Sequence, residues 1–281
     1  MVYGKEVVTS RQNPTVKLIC SLTDKKSRRE ERAFRFDGIK LFLEAVACRL
    51  DVTHVIVSQG ADAKITDAID AAIACGAIGA GAVTVVSEQL FERISEEHSP
   101  EGIITVAKWI DDIHTSYTTV DGYEADERDS LLVAESLRDP GNLGTVIRSC
   151  AALGIDRLII SDDCADLYNP KTIRAAMGGL FRLKIDIIKT GLLPDAIAIL
   201  RKSGRRVFAA ALHNEAVTIG ESEMSVGDCF VIGNEGHGLS EGVIAACDAC
   251  AIIPMTENNE SLNAAAAAAI CIWETVKAKK R

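Results

Sequence analysis

The stretch "IIPMTENNESLNAAAAAAICIWE", residues 252–274, sets Ser261, Leu262 and Asn263 between an apolar, strand-like run and six consecutive alanines. Ala264 to Ala269 have the highest helix propensity, and alanine is small enough for a second backbone to come very close. Either Ser261 or Asn263 can serve as the N-cap of that helix. A capped helix packed tightly on a sheet accounts for the pattern. So does a ligand held at the same turn, because a helix start presents unpaired N–H groups.

Upstream of this stretch the chain alternates. The strand patterns "SLLVAES", "RLIIS", "VFAAAL", "CFVIGNE" and "CAIIPM" are separated by helical stretches such as Gly144 to Leu153 and Pro170 to Gly178. Such alternation predicts a mostly parallel sheet with helices on both faces, in which ligands bind outside the carboxyl ends of the strands. Further upstream, "THVIVSQG" and "AVTVVSE" read as short buried strands around the helical pattern of Lys64 to Cys75, a small α/β unit. Between the two lies "DDIHTSYTTVDGYEADERD", residues 111–129, polar and acidic without a sustained apolar period, which reads as a linker. The expected organisation is a domain at 1–110, a linker at 111–129 and a domain at 130–281.

The chain's 281 residues, 48% hydrophobic and 25% charged, are enough to bury two cores. No apolar run approaches the roughly 20 residues that span a bilayer, and the N-terminus lacks the apolar core of a signal peptide, so no membrane partner and a cytoplasmic location are expected. The nine cysteines lie among apolar neighbours, the usual setting of reduced, buried thiols. Cys247 and Cys250 have zinc-knuckle spacing, but no second CxxC or histidine pair accompanies them. A net charge of -9 argues against indiscriminate coating of nucleic acid. Two regions are nevertheless basic: residues 1–50 carry eleven Lys and Arg against six Asp and Glu, and residues 171–206 carry nine against two. Directed contact with phosphates and a solvated charged face both fit those counts.

Unusual residues collect at three strand ends. "LRDPGNLGTVIRSCAALG" places Asn142 near a helix start, with Arg148 six residues further on. "NEGHGLSE" sets Glu235 between Asn234 and Gly236, and the third turn carries Ser261 and Asn263. Glycines among them permit close backbone approach. The glycines at 233, 236 and 238 do not fit GxGxxG, and neither a Walker A sequence nor a GxSxG elbow occurs, which weakens a dinucleotide-dependent dehydrogenase. His237 shares the second loop; the five histidines show no metal-ligand spacing.

Taken together, "DPGNLGTVIRSCAALG", "FVIGNEGHGLSE" and "IIPMTENNESLNAAAAAAI" resemble, in order, the three motifs of the SpoU (TrmH-type) group of SPOUT RNA 2′-O-ribose methyltransferases. The connecting "DLYNPKTIRAAMGGLFRL" is similar as well. More loosely, "SRQNPTVKLICSL" and "RAFRFDGIKLFLEAV" resemble the family's substrate-binding domain, whose fold is like that of certain ribosomal RNA-binding proteins. The resemblance implies an α/β protein with a C-terminal parallel-sheet domain tied in a deep trefoil knot, a small N-terminal α/β RNA-binding domain, and a homodimer formed through the knotted part. It implies S-adenosyl-L-methionine bound near Ala211, Leu212, Gly233, Ile253, Met255 and Leu262, with no metal. It further implies a reaction site of Asn142, Arg148, Glu235, Ser261 and Asn263. Where the family commonly has glycine after "IPM", this chain reads Thr256, Glu257, Asn258 and Asn259.

Methyl transfer to a ribose 2′-hydroxyl needs an in-line approach to an activated methyl and loss of a proton from a weakly acidic alcohol. Positioning can supply a large part of the rate. An arginine with a pKa above about 12 is a poor proton acceptor, so Arg148 is expected to orient phosphate and stabilise the developing alkoxide. The expected substrate is structured RNA, 23S ribosomal RNA ahead of transfer RNA because a separate RNA-gripping domain suits a large folded target. A non-catalytic RNA-binding or ribosome-assembly protein is the alternative from another class, and cofactor binding separates the two.

Overall fold

The structure is a computed structural model that describes residues 6–212, 216–221, 224–225, 227–234, 236–256 and 261–279. The chain divides into two compact units, one of residues 1–110 with 168–174, the other of residues 111–167 with 175–281.

The first unit runs α1 (Pro14–Ser21), α2 (Lys25–Glu31), β1 (Ala33–Asp37), α3 (Ile39–Ala47), β2 (Val52–Ser58), α4 (Ala63–Ala74), β3 (Val83–Val86), α5 (Glu88–Ile94) and β4 (Ile103–Lys108). Its four-stranded sheet has the order β1-β4-β2-β3, antiparallel except for the β2–β3 pair. Asn13, Asp24, Asp62 and Ser87 each cap a helix start with a side-chain oxygen, satisfying amides that the helices cannot. Val16 and Ile19 of α1 and Leu90, Phe91 and Ile94 of α5 close over Ile56, Ile104 and Val106 of the sheet. Two arginines counted in the basic N-terminal region are buried here. Arg28 donates to the Leu22 and Thr23 carbonyls at the end of α1, at 2.9 and 2.7 Å. Arg35 donates to the Ile94 carbonyl and pairs with Asp37 at 2.7 Å.

The second unit continues with β5 (His114–Tyr117), β6 (Leu131–Ala134), α6 (Pro140–Leu153), β7 (Arg157–Ser161), α7 (Pro170–Ala176, its first five residues in the first unit), β8 (Lys184–Ile188) and α8 (Leu193–Lys202). Then follow β9 (Val207–Ala210), β10 (Val217–Thr218), β11 (Cys229–Ile232), α9 (Glu241–Ala246), β12 (Ala249–Ile252) and α10 (Ala264–Lys279). Eight strands, all parallel, lie in the order β10-β12-β9-β11-β6-β7-β8-β5. Leu131, Val133, Val207, Ala209, Cys229 and Val231 pack on one face against Leu193, Ile197 and Leu200 of α8 and Val243 of α9. The alternate residues Leu132, Leu158, Phe208 and Phe230 are buried as well, as expected for a parallel sheet covered on both sides.

Residues 111–129 do not form a free linker. β5 pairs with β8 at the sheet edge, and Tyr123 is buried with its hydroxyl donating to Asp186 at 2.9 Å. Asp186 also receives Arg157 at 2.8 Å, so a buried carboxylate in β8 is held by two donors from elsewhere in the sheet region. The polar composition of the segment hides an edge strand whose pairing needs only backbone groups. All nine cysteines are free thiols, and burial pushes the Cys229 and Cys247 thiols up to about 12. Among the described residues, no helix is long and apolar enough to cross a membrane.

Candidate active site

Because β12, β9 and β11 are parallel neighbours, their carboxyl ends open on the same side and their following loops meet. Between those loops and the start of α10 lies a cavity of about 410 Å³. Ala211 and Leu212 reach it from β9, Gly233 from β11, Ile253 and Met255 from β12, and Leu262 from the turn before α10. All six residues expected at the cofactor thus line one cavity, and Ser261 lines it too. Mostly apolar walls at strand ends, beside the start of α10, suit a ligand with a flat apolar part and a polar tail.

The loop after β11 is held by parts of the sequence far away from it. Asn234 Nδ2 donates to the Ser136 carbonyl at 2.8 Å, while its Oδ1 accepts from the Gly236 and His237 amides at 2.8 and 3.3 Å. Ser240, the N-cap of α9, donates through its amide and hydroxyl to the buried Glu135 carboxylate at 2.8 and 2.7 Å. Gly233 is required for a steric reason: a Cβ there would lie 2.5 Å from the Gly238 oxygen and 2.7 Å from the Leu239 nitrogen. His237 lines the cavity and is exposed.

At the end of β6, Ser136 adopts φ 57°, a conformation that costs a non-glycine residue about 1–2 kcal/mol. Its amide donates to Ser161 Oγ and its hydroxyl to Asp163 Oδ2, each at 2.7 Å, which offsets that cost. Burial raises the Asp163 carboxyl, but hydrogen bonds from Ser136, Ser161, Arg138 and Thr190 outweigh it and bring the group down to about 2.

α6 begins at Pro140, and its cap is Asp139, whose carboxylate accepts from the Asn142 amide at 2.9 Å. Asn142 therefore stands inside the first turn and is not the cap. Asn263 caps α10, its Oδ1 accepting from Ala265 and Ala266 at 3.0 and 3.3 Å, and its Nδ2 donates to Asn142 Oδ1 at 3.1 Å. Ser261 is not the cap; it faces the cavity. The buried faces of Ala264, Ala265 and Ala268 accompany the packing of α10 on α6.

Of the five residues expected at the reaction site, the structure joins Asn142 to Asn263 and places Ser261 in the cavity. Arg148 is exposed and does not line the cavity, and its side chain makes no hydrogen bond or ion pair with another described residue. Glu235, and Glu257 to Asn259 of the third loop, lie outside the described residues. Sequence reasoning missed Glu135 and Ser240 as the brace of the second loop, because residues 105 positions apart leave no local signal. Asn234 had one: an Asn-x-Gly sequence is an Asx-turn pattern.

Several basic residues of the 171–206 region are consumed internally. Arg205 is buried on the Asp129 and Gly227 carbonyls, Arg206 pairs with Asp228, and Arg201 pairs with Asp248 at 2.8 Å.

The profile of the SpoU rRNA methylase family matches residues 129–273, the span that carries the cavity and the Asn142–Asn263 bond. The chain belongs to the SpoU rRNA methylase family. A second profile, that of the MRM3-like substrate binding domain, matches residues 13–105. The 23S rRNA (guanosine(2553)-2′-O)-methyltransferase of Bacillus subtilis is 30% identical over 95% of this chain and 97% of its own length. The 23S rRNA (uridine(2479)-2′-O)-methyltransferase of Streptomyces viridochromogenes is 34% identical over 54% of this chain and 57% of its own. A crystal structure of an AdoMet-bound rRNA methyltransferase from Sinorhizobium meliloti superposes with a TM-score of 0.80 at 28% identity, covering 97% of both chains. RNA ribose methylation with S-adenosylmethionine, which the sequence resemblance implied, is the reaction of this SpoU family, and the parallel-sheet unit with its N-terminal companion is the family's architecture.

Proposed function

We propose that this SpoU member methylates a ribose 2′-hydroxyl of structured RNA, with 23S ribosomal RNA as its substrate and S-adenosylmethionine as its donor. It works in the cytoplasm as a homodimer through a knotted C-terminal unit. The observation that carries the reading is the convergence of Ala211, Leu212, Gly233, Ile253, Met255 and Leu262 on one cavity, with the Asn142–Asn263 pair next to it. The fit of the donor to that cavity rests on its apolar walls, which suit the adenine, and on a glycine that lets the loop after β11 fold back on itself beside them. When bound, S-adenosylmethionine supplies a methyl already activated on a sulfonium.

The chain's own part is positioning and charge. Asn263 fixes the rotamer of Asn142, which holds the ribose or its phosphate. Arg148 is an exposed cation on α6; it orients phosphate and stabilises negative charge on the 2′-oxygen as the proton leaves. Because Arg148 does not line the cavity of its own chain, the dimer gives it a role: the partner's α6 brings that cation to the reacting hydroxyl. Glu235 orients the site from the loop after β11. The preference for 23S RNA over transfer RNA is supported by the two relatives named for 23S positions and by the substrate-binding profile over residues 13–105.

Calorimetric titration with S-adenosylmethionine and S-adenosylhomocysteine, beside an Asn263→Ala variant, tests this. Binding that weakens in the variant supports methyl transfer, and mapping of ribose methyls in ribosomal and transfer RNA from a deletion strain then names the target. No binding of either ligand by the folded protein overturns the reading and leaves a non-catalytic RNA-binding protein.

A further inference from the structure

In the first unit, three aromatic rings stack in series and a guanidinium lies over the last of them. Phe34, fully buried, stacks on Tyr168 with centroids 4.6 Å apart, and Tyr168 stacks on Trp109 at 5.2 Å. The Arg32 guanidinium lies over the Trp109 ring at 4.9 Å. Its place is fixed by backbone: Arg32 caps α2 at φ 46°, and its carbonyl accepts from the Trp109 amide at 3.0 Å. Tyr168 is held in turn by the Ile110 amide, which donates to its hydroxyl at 2.9 Å. Arg32 is nevertheless exposed. An exposed cation thus lies against an immobilised indole at the surface.

The surroundings carry exposed charge of both signs, with Asp24, Glu30 and Glu31 among the cations. α2 is tied down from beneath by buried Arg28, whereas Lys25, Lys26 and Arg29 are exposed along it. Lys25 and Arg29, four residues apart, share one face. Lys26 is partly offset by Glu30 at 3.8 Å. The helix carries these charges over about 10 Å from Arg32, a span of one to two nucleotides of extended backbone.

We propose that the outer face of Arg32 is a stacking platform for an unpaired nucleobase of the RNA substrate, with Lys25 and Arg29 holding the adjacent phosphates. Guanidinium planes and aromatic faces take bases this way in single-stranded loops and bulges, and a paired helix keeps its bases inside. The pre-stacked guanidinium gives up little conformational freedom on binding. The inference rests on the RNA-substrate reading above and adds to it that the first unit grips a non-duplex segment.

The test uses the full chain with Trp273→Phe, which leaves Trp109 as the sole tryptophan. A short single-stranded RNA, and the same strand annealed to its complement, are titrated while indole emission is followed. The expected result is quenching by the single strand and about a tenfold weaker Kd for Arg32→Ala. Arg32→Lys should be weakened nearly as much, since an ammonium keeps the charge and loses the plane; duplex affinity should change little in either variant. Unchanged single-strand affinity in both variants, full rescue by Arg32→Lys, or equal losses on strand and duplex would each overturn the platform. S-adenosylmethionine titration of the same proteins separates the two readings: donor binding with no Arg32 effect sinks the platform alone, and no donor binding by the parent sinks the methyltransferase.

Discussion

Replacing Glu135 with glutamine removes a charge that braces the loop after β11 without removing volume. The carboxylate receives two hydrogen bonds, 2.8 Å from the Ser240 amide and 2.7 Å from the Ser240 hydroxyl, and the side chain is buried. Hydrogen bonds to a charged partner are worth roughly 1.5–3 kcal/mol each, and a buried donor left unpaired costs its desolvation. Glutamine keeps one acceptor and turns an NH2 toward a donor, so roughly 2–4 kcal/mol of folding stability should be lost. The braced loop carries Gly233, Asn234 and Leu239 on the cavity wall, so donor affinity should fall as well. Urea unfolding with linear extrapolation gives the stability change, and calorimetry gives the affinity. Ser240→Ala and the double variant complete a cycle whose coupling should exceed about 1 kcal/mol for groups in direct contact. Stability within about 0.5 kcal/mol of the parent together with unaltered donor affinity would refute the reasoning, since the brace would then bear no load.

Two other outcomes are expected. Arg148→Ala should lower kcat about 100- to 1000-fold with no change in donor affinity or melting temperature, because the side chain is exposed and makes no bond to another described residue; a loss seen mainly in stability would contradict this. Burial in β5 pushes the His114 imidazole down to about 4 from an ordinary 6.5, so between those values the unfolded chain binds a proton that the folded chain refuses. Stability must then fall with acidity across that window, by up to about 3 kcal/mol, and His114→Gln should flatten the pH 4–6.5 limb of a urea-midpoint profile; an unaltered slope would contradict it.

The catalytic unit was legible where residues are constrained one at a time. Asn142, Gly233, Ser261 and Asn263 stand at strand ends in a βα alternation, and the topology of a parallel sheet brings such ends together. Charge was less legible. A count of lysines and arginines treats Arg28, Arg35 and Arg205 as surface charge, yet each is buried on backbone carbonyls or a carboxylate. β5 was hidden because an edge strand can be polar and still pair through its backbone. β8 was hidden because Asp186 interrupts its apolar run, and only the fold supplies Arg157 and Tyr123 to satisfy it. The cap of α6 went to Asp139 because Pro140 fits the first helical position, which leaves Asn142 inside the first turn, bonded to Asn263.

The bonds that build the site are separated along the chain by 98 residues for Asn234 and Ser136, 105 for Ser240 and Glu135, and 121 for Asn263 and Asn142. None can form from a local segment, and the last depends on the docking of α10. Contacts of such high order close late in folding, so the chain acquires a donor site only when α10 has docked. A chain cut before Asn263 would keep all eight strands and lose both the Asn142–Asn263 bond and the helix that closes one wall of the cavity.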